Sequence, residues 1–191
     1  MKNIAIFASG GGSNAQKIID YFEGHKKIKI SLVVSNKADA KVLDIAKNTN
    51  IDTFVLSRAY FYETEQILQE LKSKKIDLVV LAGFLWLIPI YMVKAFENQM
   101  LNIHPSLLPK FGGKGMHGSH VHEAVKAAGE TVSGITIHFV NEHYDEGAYI
   151  FQTSCIVEPD DTAADIAKKV LALEHAFFAP TIEKVLVTNV K

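Results

Sequence analysis

The 191-residue sequence is poor in the residues that stabilise secreted domains or bind nucleic acid. Its single cysteine, Cys155, excludes an internal disulfide and is typical of a reducing compartment. Lysine and arginine number 20 against 21 acidic residues, and the net charge of −1 gives no basic field for nucleic acid. Arginine itself occurs only once, as Arg58. These scarcities argue against a disulfide scaffold and against a nucleic-acid-binding protein.

Long hydrophobic runs are scarce as well. The uncharged segment 78–93 is shorter than the roughly 20 residues that a membrane-spanning helix needs, and Gly83 and Pro89 interrupt it. The apolar run at residues 1–7 is too short for a signal peptide and leads into a glycine-rich loop. We therefore expect a cytoplasmic protein that does not associate with a membrane.

Short apolar runs alternate with segments of helical spacing in the first half of the chain. The apolar runs lie at residues 3–8, 28–34, 53–56, 78–81 and 100–103. Because these runs are continuously apolar, each predicts a strand that is buried on both faces. The pattern predicts an α/β fold with a doubly wound, mainly parallel sheet.

The second half of the chain changes character. Residues 132–140 and 149–157, separated by a polar turn, predict an antiparallel hairpin at one side of the sheet. Residues 161–187 predict a long terminal helix that Asp160 or Asp161 caps and that Pro180 bends or breaks. Since no repeat or linker interrupts the sequence, we expect a single domain over residues 1–191.

The segment 101–110 carries the strongest chemical signal. Asn102 and His104 stand two residues apart after an apolar stretch, and in an extended segment such residues project from the same face. An amide that stabilises an oxyanion, beside an imidazole that exchanges protons near neutral pH, suits acyl transfer. The alternative is a strand end at which Asn102 forms a turn and His104 is merely half-buried.

A glycine-rich segment at residues 10–14 follows the first strand and opens the first helix. Glycines allow a ligand to approach the backbone, and the N–H groups of a helix start favour an anion. Ala15 replaces the third glycine of the dinucleotide fingerprint, and the lysine of a P-loop is absent. The segment therefore favours a small phosphate monoester, and the alternative is a tight turn with Ser13 as N-cap.

Seven motifs occur in order along the chain: 8–14 (ASGGGSN), 35–38 (SNKA), 81–84 (LAGF), 102–109 (NIHPSLLP), 136–140 (TIHFV), 145–147 (DEG) and 174–176 (EHA). Together they resemble the formyltransferases that use 10-formyltetrahydrofolate, and specifically the phosphoribosylglycinamide formyltransferase family, over essentially the whole chain. The resemblance implies a formyltransferase-like fold, 10-formyltetrahydrofolate as co-substrate, and formyl transfer to the amine of glycinamide ribonucleotide in purine synthesis.

The resemblance also implies roles for individual residues. Asn102, His104 and Asp145 would be catalytic, with Asp145 holding His104 and favouring its imidazolium form. His138 would support them. Without the resemblance, Asp145 before Glu146 would be read as turn chemistry. The ribonucleotide would contact Gly11, Gly12, Ser13, Asn14 and Glu174, and the folate would contact Leu85, Trp86, Leu87, Ile88, Asn102, Asn141, Glu142, His143, Tyr144 and Asp145.

The sequence departs from the family pattern on the folate side. Trp86 stands where family members commonly have an arginine, and no arginine occurs around residues 61–63. Recognition of the glutamate tail of the folate must then rely on Arg58, on lysines or on solvent. Trp86 could line the folate site or pack beside it.

His117, His120 and His122 form the one local cluster that could suggest a metal, but they lack cysteine partners and an H-E-x-x-H pattern. We expect no metal, and we interpret 110–118 as a flexible loop that meets an anionic substrate.

We further expect a monomer or weak homodimer. The remaining alternatives are another formyltransferase, acting on methionyl-tRNA or a sugar amine, a hydrolase that releases formate, and a non-catalytic folate- or nucleotide-binding module.

Overall fold

The computed structural model describes residues 1–188, which form one seven-stranded sheet with helices on both faces. The strands are β1 (Lys2–Phe7), β2 (Ile28–Ser35), β3 (Thr53–Val55), β4 (Ile76–Leu81), β5 (Met100–His104), β6 (Val132–Phe139) and β7 (Tyr149–Ile156). Their order is β3-β2-β1-β4-β5-β6-β7, with the first five strands parallel and the last two antiparallel. The predicted fold class and the C-terminal hairpin are therefore confirmed.

Seven helices complete the described chain. They are α1 (Ser13–Phe22), α2 (Lys41–Asn48), α3 (Arg58–Tyr62), α4 (Gln66–Ser73), α5 (Ile90–Ala95), α6 (Ser119–Ala127) and α7 (Ala163–Thr188). Helices α1, α2, α6 and α7 cover one face of the sheet, and α3, α4 and α5 cover the other. In β1, Ile4 and Ile6 pack into the first core while Ala5 and Phe7 pack into the second. This two-sided burial explains why β1 is apolar at every position from Ile4 to Phe7.

The start of α7 differs from the prediction. Thr162 caps the helix: its hydroxyl oxygen accepts a hydrogen bond from the Asp165 N–H at 3.2 Å, and the Asp165 carboxylate accepts one from the Thr162 N–H at 3.1 Å. This reciprocal pair satisfies two backbone donors at the helix start. Asp161 instead accepts from the Glu158 N–H, so the assignment of the cap to Asp160 or Asp161 was wrong.

Pro180 does not break α7, which runs through to Thr188. Next to it, the hydroxyl of Thr181 donates to the Phe177 carbonyl at 2.7 Å. Both Phe178 and Ile182 are buried in the core, so packing holds the helix on the sheet on either side of the proline. Within residues 1–188, no helix combines the length and the hydrophobicity needed to cross a membrane.

The strand order reverses beside β1, because the chain first adds β2 on one side and later adds β4 on the other. In open α/β sheets, ligands bind at such a switch point, outside the carboxyl ends of the strands. The carboxyl ends of β1, β4 and β5 all meet at this edge. The fold therefore brings the glycine-rich loop, the segment after β4 and the Asn102–His104 strand end together.

Candidate active site

A cavity of about 700 Å³ opens at this edge of the sheet. Its walls come from residues 83–88 after β4, 102–105 at the end of β5, 113–119, and 140–145 between β6 and β7, with α7 closing one side. A volume of this size accommodates a small-molecule ligand. All three residues predicted to be catalytic lie on the wall of this cavity.

Strand pairing positions Asn102 and His104. In the antiparallel β5–β6 pair, Asn102 lies opposite His138 and His104 lies opposite Thr136. The fully buried Thr136 hydroxyl donates to the Ser106 carbonyl at 2.8 Å and accepts from the Leu108 N–H at 3.0 Å. One side chain of the sheet thus fixes the path of the loop that follows His104.

The Asn102 side-chain amide bridges two groups. Its Nδ2 lies 3.2 Å from His138 Nε2 and 3.3 Å from Asp145 Oδ1. His138 Nδ1 lies 2.8 Å from the Phe139 carbonyl, which can only accept, so the proton of a neutral ring resides on Nδ1 and Nε2 accepts from Asn102. This arrangement fixes which way the Asn102 amide points, with one N–H directed at His138 and the other at Asp145.

His104 is almost fully buried, and its two ring nitrogens have different partners. Nε2 donates to the Phe111 carbonyl at 2.8 Å, whereas Nδ1 lies 3.4 Å from Asp145 Oδ2. The neutral ring therefore carries its proton on Nε2 and presents a free lone pair on Nδ1. Nδ1 is the atom that can take up and return a proton.

Burial lowers the pKa of His104 and outweighs the opposing effects of Asp145 and of the Phe111 carbonyl. The nearby His138 lowers it further. Asp145 acts in the expected direction, because its charge raises the pKa of His104, but removal of the ring from water outweighs this effect. At neutral pH the free protein presents a neutral His104, which suits proton acceptance.

Asp145 stays ionised beside the two histidines. Burial acts to raise its pKa, but three interactions together lower the pKa below its ordinary value. They are the hydrogen bond with the His138 ring, the positive charge that His104 can carry, and the Gly113 N–H, which donates to Oδ2 at 2.9 Å. Its backbone adopts a φ of 58°, in the left-handed region that residues other than glycine rarely occupy. A strained backbone that aims one carboxylate at two imidazoles and an amide is typical of a functional site.

The glycine-rich loop ends at the start of α1, where Gly12 is the N-cap with a φ of 75°. A Cβ atom at Gly12 would lie 2.8 Å from the Val42 side chain, so only glycine fits. No side chain caps the helix, and the alternative that Ser13 is the N-cap is therefore wrong. Gly11, Gly12 and Ser13 form the rim of this helix end rather than the cavity wall.

Asn14 connects α1 to α7. Its Nδ2 donates to Glu174 Oε2 at 2.7 Å, while its Oδ1 is buried and has no partner among residues 1–188. Both side chains line the cavity. Burial raises the pKa of Glu174, and the hydrogen bond from Asn14 opposes this only in part. The pair forms a polar wall beside the helix end, with hydrogen-bonding capacity left for a ligand.

The residues predicted to contact the folate form the opposite wall. Leu85, Trp86, Leu87 and Ile88 line the cavity after β4, and Asn141, His143, Tyr144 and Asp145 line it between β6 and β7. Glu142 was also predicted and does not line the cavity. The half-buried ring of Trp86 lies 5.9 Å from the rings of Phe61 and Tyr62 and also lines the cavity.

The histidines on and before α6 do not form a metal site. The His117 and His120 rings lie 5.4 Å apart, and among residues 1–188 no group of three His, Cys, Asp or Glu side chains is arranged to hold an ion. His122 is buried, lines the cavity, and has no partner for Nδ1 within the described chain. Sequence reasoning grouped it with its neighbours, since only the structure shows which of the three histidines turns inward.

Comparisons with known proteins agree with this geometry. The formyl transferase family model matches residues 2–182. A chloroplastic phosphoribosylglycinamide formyltransferase of Arabidopsis thaliana is 39% identical, over 100% of this chain and 67% of the plant protein. The human trifunctional purine biosynthetic protein adenosine-3 is 37% identical, over 95% of this chain and 18% of its own length.

A solved structure gives the same result. The crystal structure of phosphoribosylglycinamide formyltransferase from Bacillus halodurans superposes with a TM-score of 0.88 at 36% identity, covering 97% of this chain and 96% of that one. Sequence, fold and site geometry point the same way. The chain belongs to the formyl transferase family, among the phosphoribosylglycinamide formyltransferases.

Proposed function

We propose that this protein transfers the formyl group of 10-formyltetrahydrofolate to the amine of glycinamide ribonucleotide. The observation that carries the proposal is the convergence of Asn102, His104 and Asp145 on one cavity. One end of that cavity is an uncapped helix start, and the other is an apolar wall. The activity is the one named for the relatives, and members of the family use formyl-folate as co-substrate.

The reaction requires one proton transfer and one charge stabilisation. The neutral amine attacks the formyl carbon. The Asn102 N–H that bonds to Asp145 Oδ1 at 3.3 Å in the free protein is then given over to the oxygen that becomes negative. The attacking nitrogen then loses a proton, and N10 of the folate gains one as the carbon–N10 bond breaks. His104 Nδ1, directly or through a water, moves this proton, and the Asp145 carboxylate stabilises the imidazolium while it exists. The products are the N-formyl ribonucleotide and tetrahydrofolate, and no covalent bond to the protein forms.

The two ends of the cavity suit the two substrates. The N-terminus of α1 offers backbone N–H groups and a partial positive charge to a phosphate. Asn14 and Glu174 can hydrogen-bond to the hydroxyls or the amine of the same molecule. The segment 85–88 gives a mainly apolar wall for a flat pterin ring. Binding both molecules in one cavity aligns the amine and the formyl carbon without a carrier intermediate.

The deciding experiment is a turnover assay with glycinamide ribonucleotide and 10-formyltetrahydrofolate, followed by the absorbance change of the folate. Formyl transfer that depends on the ribonucleotide supports the proposal. Formate release without the amine would instead identify a hydrolase. Folate binding with no turnover under any condition would identify a binding module.

Removal of the polar side chains of Asn14 or Glu174 should weaken the binding of the ribonucleotide and not that of the folate. We expect Glu174→Ala and Asn14→Ala each to raise the KM for glycinamide ribonucleotide by roughly ten- to a hundredfold, the effect of losing one hydrogen bond to a charged group. Folate affinity should change little. Isothermal titration of each variant with each substrate tests this division. A variant that bound folate more weakly and the ribonucleotide unchanged would show that the two ends are reversed.

The direction of the His104 pKa predicts the pH dependence. Because burial lowers this pKa, the ring is neutral at pH 7 and becomes protonated only as the pH falls below the ordinary histidine value of about 6.5. A protonated Nδ1 cannot accept the amine proton, so kcat/KM should fall on the acid side, with the midpoint below that value. A profile measured for the wild type and for His104→Ala tests this. An acid limb above neutral pH, or one that persists in the variant, would contradict the assignment.

We also propose that residues 1–191 act as one domain, present in the cytoplasm as a monomer or weak homodimer without nucleic-acid or membrane partners. An uninterrupted family match over residues 2–182 and a single sheet support the single domain. The lone cysteine supports a reducing compartment, and the net charge of −1 disfavours nucleic acid. Light scattering over a concentration series measures the oligomeric state.

A further inference from the structure

Ser9 lies where the chain leaves β1 and enters the glycine-rich loop, and it is only 2% exposed. Its backbone N–H donates to the Gly83 carbonyl at 3.0 Å, and its hydroxyl oxygen accepts from the Leu85 N–H at 2.9 Å. With the Ala82 N–H, which donates to the Phe7 carbonyl at 2.9 Å, these bonds extend the pairing of β1 with β4 beyond both strands. Of the three bonds, only that to the Ser9 hydroxyl involves a side chain, so a substitution can remove it alone.

The segment that Ser9 holds is otherwise weakly supported. Residues 82–89 form neither helix nor strand, and Leu85 and Leu87 are 45% and 38% exposed. Within the described chain, side chains hold the backbone of this segment at two points. The Ser9 hydroxyl accepts from Leu85, and the Tyr62 hydroxyl donates to the Leu87 carbonyl at 2.9 Å. The apolar wall of the cavity therefore depends on Ser9 for the position of its first residue.

On its other side, Ser9 is continuous with the loop that leads to the start of α1. This loop packs closely on α2: the Gly10 carbonyl accepts from the Val42 N–H at 3.3 Å, and a Cβ atom at Gly12 would lie 2.8 Å from the Val42 side chain. Ser9 itself does not line the cavity. Its hydroxyl can therefore act on a ligand only by fixing Leu85 relative to the loop.

We propose that the Ser9 hydroxyl is a positioning group through which each substrate strengthens the binding of the other, an inference that rests on the proposed function. A ribonucleotide whose phosphate binds at residues 10–14 restricts the loop and, with it, Ser9. Because the Leu85 N–H is bonded to the Ser9 hydroxyl, the start of the apolar wall is restricted as well. The folate then binds with a smaller loss of conformational entropy in the wall. The effect is reciprocal, as thermodynamic linkage requires.

The test measures how strongly one ligand promotes the binding of the other. Tetrahydrofolate carries no formyl group, so its complex with glycinamide ribonucleotide cannot turn over. Isothermal titration gives the Kd of tetrahydrofolate without and with saturating ribonucleotide. In the wild type, the ribonucleotide should lower this Kd about two- to tenfold, the range of one neutral hydrogen bond. In Ser9→Ala, the ratio of the two Kd values should be close to one.

Tyr62→Phe is the matched control, because it removes the other hydroxyl that holds the wall and anchors it to α3 instead of to the glycine-rich loop. This variant should bind tetrahydrofolate more weakly and keep the wild-type ratio of Kd values. In turnover, Ser9→Ala should raise the KM for 10-formyltetrahydrofolate about two- to tenfold with kcat close to that of the wild type, because the side chains proposed to be catalytic are unchanged.

The possible outcomes separate this inference from the proposed function. A wild type that transfers formyl with a Kd ratio of one, or a Ser9→Ala variant that keeps the wild-type ratio, would overturn the coupling alone. A Leu85 N–H that exchanges with solvent no faster in Ser9→Ala than in the wild type would show that the hydroxyl does not hold the wall. A wild type that neither binds tetrahydrofolate nor transfers formyl would overturn the proposed function and this role with it.

Discussion

Asn102→Ala, His104→Ala and Asp145→Ala should each lower kcat by on the order of a hundredfold or more, with the fold retained. In the proposed mechanism, Asn102 donates to the developing oxyanion, His104 moves the proton, and the charge of Asp145 stabilises the protonated ring. Steady-state kinetics under saturating substrates measure the loss, and circular dichroism checks the fold. Near-normal rates in all three variants would place the chemistry elsewhere.

Two controls sharpen this test. Glu146→Ala removes the neighbouring exposed carboxylate and should leave kcat unchanged, which separates the position of Asp145 from its charge alone. His104 and Asp145 act on one proton, since Nδ1 and Oδ2 lie 3.4 Å apart. The double variant should therefore lose less than the product of the two single losses. Strictly multiplicative losses would mean that the two side chains act independently.

Thr136→Val should lower the free energy of unfolding by about 2–4 kcal/mol although it barely changes the side-chain volume. The buried hydroxyl donates to the Ser106 carbonyl and accepts from the Leu108 N–H and from Gln152 Nε2. A methyl group in its place leaves the buried Ser106 carbonyl and Leu108 N–H without this partner, whereas Gln152 Nε2 keeps its hydrogen bond to the Leu108 carbonyl at 3.1 Å. In a domain of this size the melting temperature should fall by roughly 5–15 °C.

Thr181→Val is the matched control for this second prediction. Thr181 is also buried, but among residues 1–188 its hydroxyl bonds only to the Phe177 carbonyl of its own helix. Its replacement should lower the free energy of unfolding by less than about 1 kcal/mol. Calorimetric scans of both variants compare them directly, and equal losses would mean that the network around Thr136 adds nothing beyond a single hydrogen bond.

The sequence predicted the central strands of the sheet well because they are buried on both faces and therefore form continuously apolar runs. It mistook the cap of α7, since Asp160, Asp161 and Thr162 are all good N-cap residues and only the backbone path selects Thr162. The lowered pKa of His104 could not be predicted from the sequence either, because it depends on how deeply the loop 105–118 buries the ring.

The candidate site was predictable only in part, and largely through the resemblance. Asn102 and His104 share a strand, so their common direction follows from spacing alone. Asn14 and Glu174 are 160 residues apart, and no local pattern indicates that they meet. The Arg58 guanidinium carbon lies 5.1 Å from the centroid of the Tyr62 ring and 5.9 Å from that of Trp86, and this contact likewise depends on how α3 packs, which periodicity does not reveal.

The contact between Asn14 and Glu174 has a consequence for the order in which the protein becomes competent during synthesis. The first helix contributes one half of this polar wall and the last helix the other, and Tyr21 adds a second tie to Glu183 of α7 at 2.5 Å. A nascent chain that still lacks α7 has the segments of β1, β2 and β4 but no partner for Asn14 on α1. Under the proposed function, we therefore expect substrate capture to begin only when α7 docks on α1.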